Sequence, residues 1–311
     1  MELLEDPTEI VIIQSFFKES GITLLDRSFP LLERLKQLSA ITSATCMNCY
    51  ASTIIRKVQQ RLLICVYPPL HKPLFSLKNW PWSSELVSAV EKAKLGKISS
   101  SLNEVSRGLF MIEILPIEFC NQLLEEVANY ESWCHGNQLS IHRPNTMNSY
   151  GAILDEFGFE PVLQELTDFI GPIFKLLYGE DTGNVGSHHG FVVEYELGKD
   201  LNLGFHVDDS QVTLNLCLGS IFTGGDLWFS GVRCPPHLNT PNTSKEYFTY
   251  SHIPGTGLIH MGKHRHGAKD LTSGKRSNLI VWFRSKKERD QELKDCQDKI
   301  CPNWCWYGKS N

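Results

Sequence analysis

Hydrophobic positions along the chain change their period once, at about residue 188. Before that point apolar residues recur at helical spacing. Leu86, Val87 and Val90 share one face and predict a helix from Ser84 to Lys94. Cys120, Leu123, Leu124 and Val127 predict another between Pro116 and Tyr130. Leu163, Leu166, Phe169, Ile170, Ile173 and Leu177 mark a third from Val162 to Tyr178. Gly171-Pro172 should kink or interrupt that helix, because proline has no amide hydrogen and crowds the preceding turn. The first ninety or so residues read as helical with short breaks, followed by the aperiodic run VYPPLHKPLFSLKNWPWSS. Its prolines do not give a clean P-x-x-P, so a packed connector is favoured over a partner-binding segment.

Beyond residue 188 the period is two, and short β-branched and aromatic runs are separated by Gly, Pro, Asn and Asp. GFVVEYEL, QVTLNLCL, GDLWFS, EYFTYSH, GTGLIHM and RSNLIVWFR are the predicted strands. So many short strands in about a hundred residues favour a double-sheet jelly roll or a barrel over a parallel α/β sheet. The fold class is therefore α+β, with supporting helices and a helical N-terminal extension. The domain division is 1–95 for the extension and connector, 96–290 for the main domain, and 291–311 for a cysteine-containing tail.

Charge and composition narrow the function. A net charge of -5 disfavours nucleic acid as a partner, since binding a phosphate backbone normally requires a basic face. The acidic start MELLEDPTEIVIIQSFF does not read as a secretory leader, and no apolar run is long enough for a membrane span, so the cytosol or nucleus is expected. Ten cysteines scattered along 311 residues read as reduced thiols. Cys46 and Cys49 form a C-x-x-C, and Cys296, Cys301 and Cys305 cluster near the other end, with a zinc ion joining the two groups as the minority reading.

The chemistry concentrates in GFHVDDS and HMGKHRHGAKD. In extended backbone His206 and Asp208 point to one face, where an imidazole and a carboxylate converge on one cation, and Asp209 points away. A further histidine would complete the two-histidine, one-carboxylate triad of non-haem iron oxygenases. His260, His264 and His266 share parity, so alternation cannot choose among them. His266 is favoured because Gly267 would permit close approach of a bulky ligand and because Arg276 follows ten residues later. A dianionic cosubstrate on such an iron needs its far carboxylate clamped, which the planar fork of arginine does bidentately. Arg276 fits that role, with Lys275 beside it as the alternative cation.

HVD, TGGDLWFS, HGA and GKRSNLIVW occur in the order that marks the prolyl 4-hydroxylase-like branch of the Fe(II)/2-oxoglutarate oxygenases. The chain resembles that family over roughly residues 105 to 286, with 266 − 208 = 58 residues between ligands. The resemblance implies a double-stranded β-helix core, ferrous iron on His206, Asp208 and His266, and 2-oxoglutarate anchored by Arg276. It also implies L-ascorbate as reductant, molecular oxygen, and a protein or peptide substrate hydroxylated with release of succinate and CO2. Tyr195 matches the tyrosine that lines the family's cosubstrate pocket, and Thr213 and Asn215 alternate with leucines so that the polar pair can face it. The reading from another class is a non-catalytic module binding a metal or partner. RPNTMNSYG is read as either a substrate-side loop or a set of local turns, and His188 and His189 as structural or surface residues and not extra ligands.

Overall fold

The computed structural model describes residues 30–42, 50–285 and 305–307. Cys46, Cys49, Cys296 and Cys301 lie outside the described residues. The described residues begin with α1 (Leu31–Thr42), α2 (Tyr50–Val66) and α3 (Ser84–Lys94). α3 has its expected limits, and its start follows from capping, since the Ser83 hydroxyl accepts the Leu86 amide at 3.0 Å. The strands β1 (Asn103–Ser106) and β2 (Leu109–Glu113) precede α4 (Ile117–Gly136). After β3 (Gly151–Ile153) comes α5 (Glu160–Gly183).

The proline- and tryptophan-containing connector packs against the body. Leu74, Leu77 and Trp80 are buried, and the Trp80 ring meets Phe119 at 5.2 Å. Glu126 of α4 is fully buried, which would be costly for an unpartnered carboxylate. It accepts hydrogen bonds from the Tyr67 hydroxyl and from the amides of Leu70 and His71, so it fastens the connector by one end. The described residues of α1 and α2 join the same apolar core through Leu35, Leu38, Val58 and Leu62.

α5 departs from expectation. Its helix continues through Gly171-Pro172, and the break in backbone angles falls at Gly179, whose φ is 82° and ψ is 169°. The carbonyl that Pro172 cannot bond belongs to Asp168, an exposed residue at which water can replace the missing donor. Meanwhile Leu163, Leu166, Ile170, Ile173 and Phe174 are buried on one side, and their burial holds the helix across the proline.

The remaining strands are β4 (Ser187–Glu196), β5 (Leu203–His206), β6 (Val212–Gly219), β7 (Phe222–Gly224), β8 (Leu227–Val232) and β9 (Tyr247–Tyr250). β10 (Thr256–Met261), β11 (His264–Ala268) and β12 (Leu271–Arg284) complete them. They form two antiparallel sheets. The larger runs β1-β2-β10-β6-β12-β4-β3, with β7 paired to β12, and the smaller runs β5-β11-β8-β9. Leu109 and Leu258 of the larger sheet pack with Leu227, Phe229 and Ala268 of the smaller one, so the sheets share an interior. On its other side the larger sheet is covered by helices, with Phe174 of α5 against Phe283 of β12 at 4.8 Å. Among the described residues no helix is long and apolar enough to cross a membrane.

Candidate active site

A cavity of 210 Å³ opens between the two sheets. The larger sheet contributes Tyr195 of β4, Thr213 and Asn215 of β6, and Arg276 and Asn278 of β12. The smaller sheet contributes His206 of β5 and His266 of β11, and Asp208 enters from the loop after β5. All seven residues singled out in the sequence therefore line one space.

Strand pairing explains how the two histidines meet. β5 and β11 are antiparallel, with His206 directly opposite His266, and their ring centroids lie 4.1 Å apart. The run HMGKH is not one continuous strand. It turns between β10 and β11, which leaves His260 on one sheet and His264 and His266 on the other. Asp208 likewise does not lie on a strand beside His206, because β5 ends at His206. Its amide instead donates to the Gly262 carbonyl at 2.9 Å, and this loop contact turns the carboxylate inward. Asp209 points away and takes Arg284 at 3.0 Å.

The donor atoms are oriented by a surrounding layer of hydrogen bonds. His206 Nδ1 donates to the Gly204 carbonyl at 2.9 Å and His266 Nδ1 to the His264 carbonyl at 2.8 Å. Both Nε2 atoms are thereby left to face Asp208 Oδ1, at 3.6 and 3.7 Å. Thr213 Oγ1 donates to Asp208 Oδ2 at 2.7 Å, which reserves Oδ1 for the histidine side. The three ligand atoms lie within 4.8 Å of one another. Two imidazoles and one carboxylate on one side of a cavity suit a ferrous ion with positions open to other ligands.

Electrostatics favour the same use. Burial opposes ionisation of Asp208, but the neighbouring His266, His206 and His260 rings hold its carboxyl well below the usual carboxylate range. Burial, reinforced by His206, pushes His266 down to about 3, so its ring is neutral and has a lone pair to give. His206 is opposed by burial too, yet its contact with Asp208 raises it. Burial also lowers His260, whose Nε2 lies 4.0 Å from Asp208 Oδ2 and has no hydrogen-bond partner.

Arg276 lines the same cavity. It is 2% exposed, its guanidinium sits 4.3 Å over the Tyr195 ring, and Nη1 donates to the Gly225 carbonyl. Its Nε has no partner, and among the described residues no carboxylate pairs with it. A buried guanidinium left so costs several kcal/mol, which an anionic ligand would offset. Lys275 points the other way and pairs with Glu194 at 2.8 Å. A side chain at Gly225 would press on Arg276 Nη1 at 3.2 Å, so the second glycine of the TGG run leaves room for the guanidinium.

Several lining residues were less legible in the sequence. Asn148 donates to the Tyr195 hydroxyl at 3.1 Å, while Asn145 accepts the amides of Met147 and Asn148 at 2.8 Å. The RPNTMNSYG loop thus both makes local turns and borders the cavity. Asn278 donates to Asn215 at 2.7 Å and meets His252 Nδ1 at 3.0 Å, a buried network of which only Asn215 was expected. Gly267 has a different cause from the one expected. A Cβ there would strike the Leu203 carbonyl at 2.6 Å and the Trp228 ring at 2.7 Å, so packing between strands requires it. His188 and His189 serve Asp155 on another part of the fold.

The family described as OGFOD2-like domain matches residues 63–183. The 2-oxoglutarate and iron-dependent oxygenase domain-containing protein 2 of Homo sapiens is 33% identical over 258 residues, which is 79% of this chain and 69% of that protein. The chain belongs to this family. The 2-oxoglutarate and iron-dependent oxygenase domain-containing protein ICU11 of Arabidopsis thaliana is 44% identical over 242 residues, 77% of this chain and 60% of its own length. The chain thus spans about three fifths of that Arabidopsis relative, and 61% of a second one. Among solved structures, a prolyl hydroxylase from Trichoplax adhaerens in complex with a hypoxia inducible factor peptide fragment has a TM-score of 0.43 at 16% identity, over 65% of this chain and 94% of that one.

Proposed function

We propose that this chain is an Fe(II)- and 2-oxoglutarate-dependent dioxygenase that hydroxylates a protein or peptide side chain. The observation that carries the reading is the pairing, within one cavity, of the His206, Asp208 and His266 donors with a buried arginine that pairs with no carboxylate among the described residues. In this reading His206 and His266 bind the ion through Nε2 and Asp208 through Oδ1. Arg276 receives the distal carboxylate of 2-oxoglutarate, with the Tyr195 ring and hydroxyl beside it and Asn148 fixing that hydroxyl. Thr213 faces the cavity and steadies Asp208, and Asn215 positions the Asn278 amide at the cavity wall. Iron, when bound with 2-oxoglutarate and oxygen, supplies the oxidative decarboxylation to succinate and CO2 and the insertion of oxygen into a C–H bond, with L-ascorbate keeping it ferrous.

The chain's own contribution is orientation and exclusion of water. Phe191, Val193 and Trp282 supply apolar wall to the cavity beside its polar lining. A cavity of 210 Å³ is below the usual range for drug-sized ligands, about 300–1,000 Å³, and suits a small diacid plus one side chain. A larger substrate would therefore stay outside and offer a single residue past the Asn145–Asn148 loop. We assign the two sheets to the double-stranded β-helix of this enzyme class and residues 96–290 to its catalytic domain, with 1–95 and 291–311 flanking it.

The test is release of succinate from labelled 2-oxoglutarate by the purified chain with ferrous iron, ascorbate and oxygen. Turnover that requires all three, and rises when a pool of cellular peptides is added, is the expected result. Iron and 2-oxoglutarate that both fail to bind would instead support a non-catalytic module.

A further inference from the structure

A second convergence of metal-ligating side chains lies outside the oxygenase cavity. β8 ends at Val232, and Arg233-Cys234-Pro235-Pro236-His237 follows, with a single 3-10 turn over Pro235–His237. This C-x-x-H turn folds the imidazole back, so that Cys234 Sγ lies 3.3 Å from His237 Nδ1. Cys305, distant in sequence and fully buried, brings its Sγ to 3.7 Å from the same nitrogen. The Cys234 amide donates to Cys305 Sγ at 3.4 Å. The two sulfurs and the nitrogen all lie within 4.8 Å of one another.

We propose that Cys234, His237 and Cys305 bind a zinc(II) ion. With Zn–S bonds of about 2.3 Å and Zn–N bonds of about 2.0–2.1 Å, the edges of a tetrahedron are roughly 3.5–3.8 Å. The two sulfur–nitrogen separations of 3.3 and 3.7 Å bracket the S···N edge, so both thiols already stand at ligand distance from the imidazole. Thiolate donors select zinc over the harder ferrous ion, which the carboxylate-containing set of His206, Asp208 and His266 suits better. The amide of Cys234 donating to Cys305 Sγ is the kind of outer contact that stabilises a metal-bound thiolate. The fourth tetrahedral position is left to a solvent molecule or a further donor.

The surroundings show what such an ion would hold. The Trp306 amide donates to the Val232 carbonyl at 3.0 Å, and the Tyr307 ring stacks on His237 at 4.2 Å. Arg107 lies over the Trp306 ring at 4.3 Å, and the edge of that ring meets His264 at 5.2 Å. His264 is the residue whose carbonyl fixes the iron-site His266. Zinc would thus fasten the segment around Cys305 to the end of β8 and brace β11 from behind, without touching the oxygenase cavity.

The experiment is elemental analysis of the full chain produced with zinc and iron both supplied, beside Cys305→Ser, His237→Ala and Asp208→Ala. One equivalent of zinc is expected in the parent and in Asp208→Ala, and its loss in the other two. Cobalt(II) added to the metal-stripped parent should give a near-ultraviolet thiolate charge-transfer band, a readout that needs no variant to fold. Parent protein with no zinc above background and no cobalt–thiolate band overturns the proposal. So does zinc that survives Cys305→Ser but leaves with Asp208→Ala, which would place it in the oxygenase site.

Discussion

Asp208→Ala is expected to hold no ferrous iron at concentrations that saturate the parent chain, and to release no succinate. Asp208 is the only carboxylate among the three convergent donors. The nearby Asp209 cannot replace it, because its side chain points outward to Arg284 at 3.0 Å. Removing the anion leaves two imidazoles, neutral or protonated, and no charge to balance a divalent ion. Loss of an outer-layer hydrogen bond to a metal ligand typically costs about 10–100-fold in affinity or activity, so loss of the ligand itself should exceed ~100-fold. Thr213→Val, which removes only the 2.7 Å bond to Asp208 Oδ2, should fall within that smaller range. Colorimetric iron determination on folded protein separates these outcomes, and iron retained at parental level in Asp208→Ala would remove this residue from the metal site.

The second large effect concerns the cosubstrate. Arg276→Lys keeps a positive charge but loses the planar fork, so iron binding should be unchanged while KM for 2-oxoglutarate rises. A hydrogen bond to a charged group contributes about 1.5–3 kcal/mol, which corresponds to roughly 10–100-fold in KM. The guanidinium is held over Tyr195 and by the Gly225 carbonyl, and a lysine ammonium would find neither contact in the same geometry. Lys275→Ala should leave KM alone, since that side chain pairs with Glu194 away from the cavity. A KM insensitive to Arg276→Lys would move the carboxylate anchor elsewhere.

Much of this arrangement is legible in the sequence. The three-and-four spacing of α4 and α5 reports burial of one helical face, whereas in α3 Val87, expected beside Leu86 and Val90, is exposed and Ala89 and Ala93 complete the buried face; the alternation after residue 188 reports a sheet with one face turned inward. The positions of β1, β2 and β3 were not readable, because strands of three to five residues are too short to carry a periodicity of their own. Alternation could not choose among His260, His264 and His266, and the reason is a turn that places His260 on β10 and the other two on β11. Parity is informative only within one strand. By contrast, neighbours on a single strand are distinguished well: Lys275 and Arg276 face opposite sides of β12, and only the latter is buried.

Proline does not break the helix at Pro172, where burial of one face carries α5 across it, and the break falls at Gly179 instead. Asp208 shows the opposite limit. Its inward turn depends on a hydrogen bond to Gly262, more than fifty residues away, and no local rule contains that contact. The meeting of Cys234 and His237 with Cys305 is non-local in the same way, with sequence separations of 71 and 68 residues. The sequence could pair Cys305 only with its neighbours and with the N-terminal C-x-x-C.

The most direct test of the central claim is optical. Ferrous iron and then 2-oxoglutarate are added to the purified chain without oxygen, and the visible spectrum is followed. Chelation of iron by the keto acid in this cavity predicts a broad charge-transfer band that needs both additions, vanishes in Asp208→Ala and requires more 2-oxoglutarate in Arg276→Lys. A folded parent chain that gives no band, or a band that persists in Asp208→Ala, would contradict the assignment of His206, Asp208 and His266 to iron and of Arg276 to its cosubstrate.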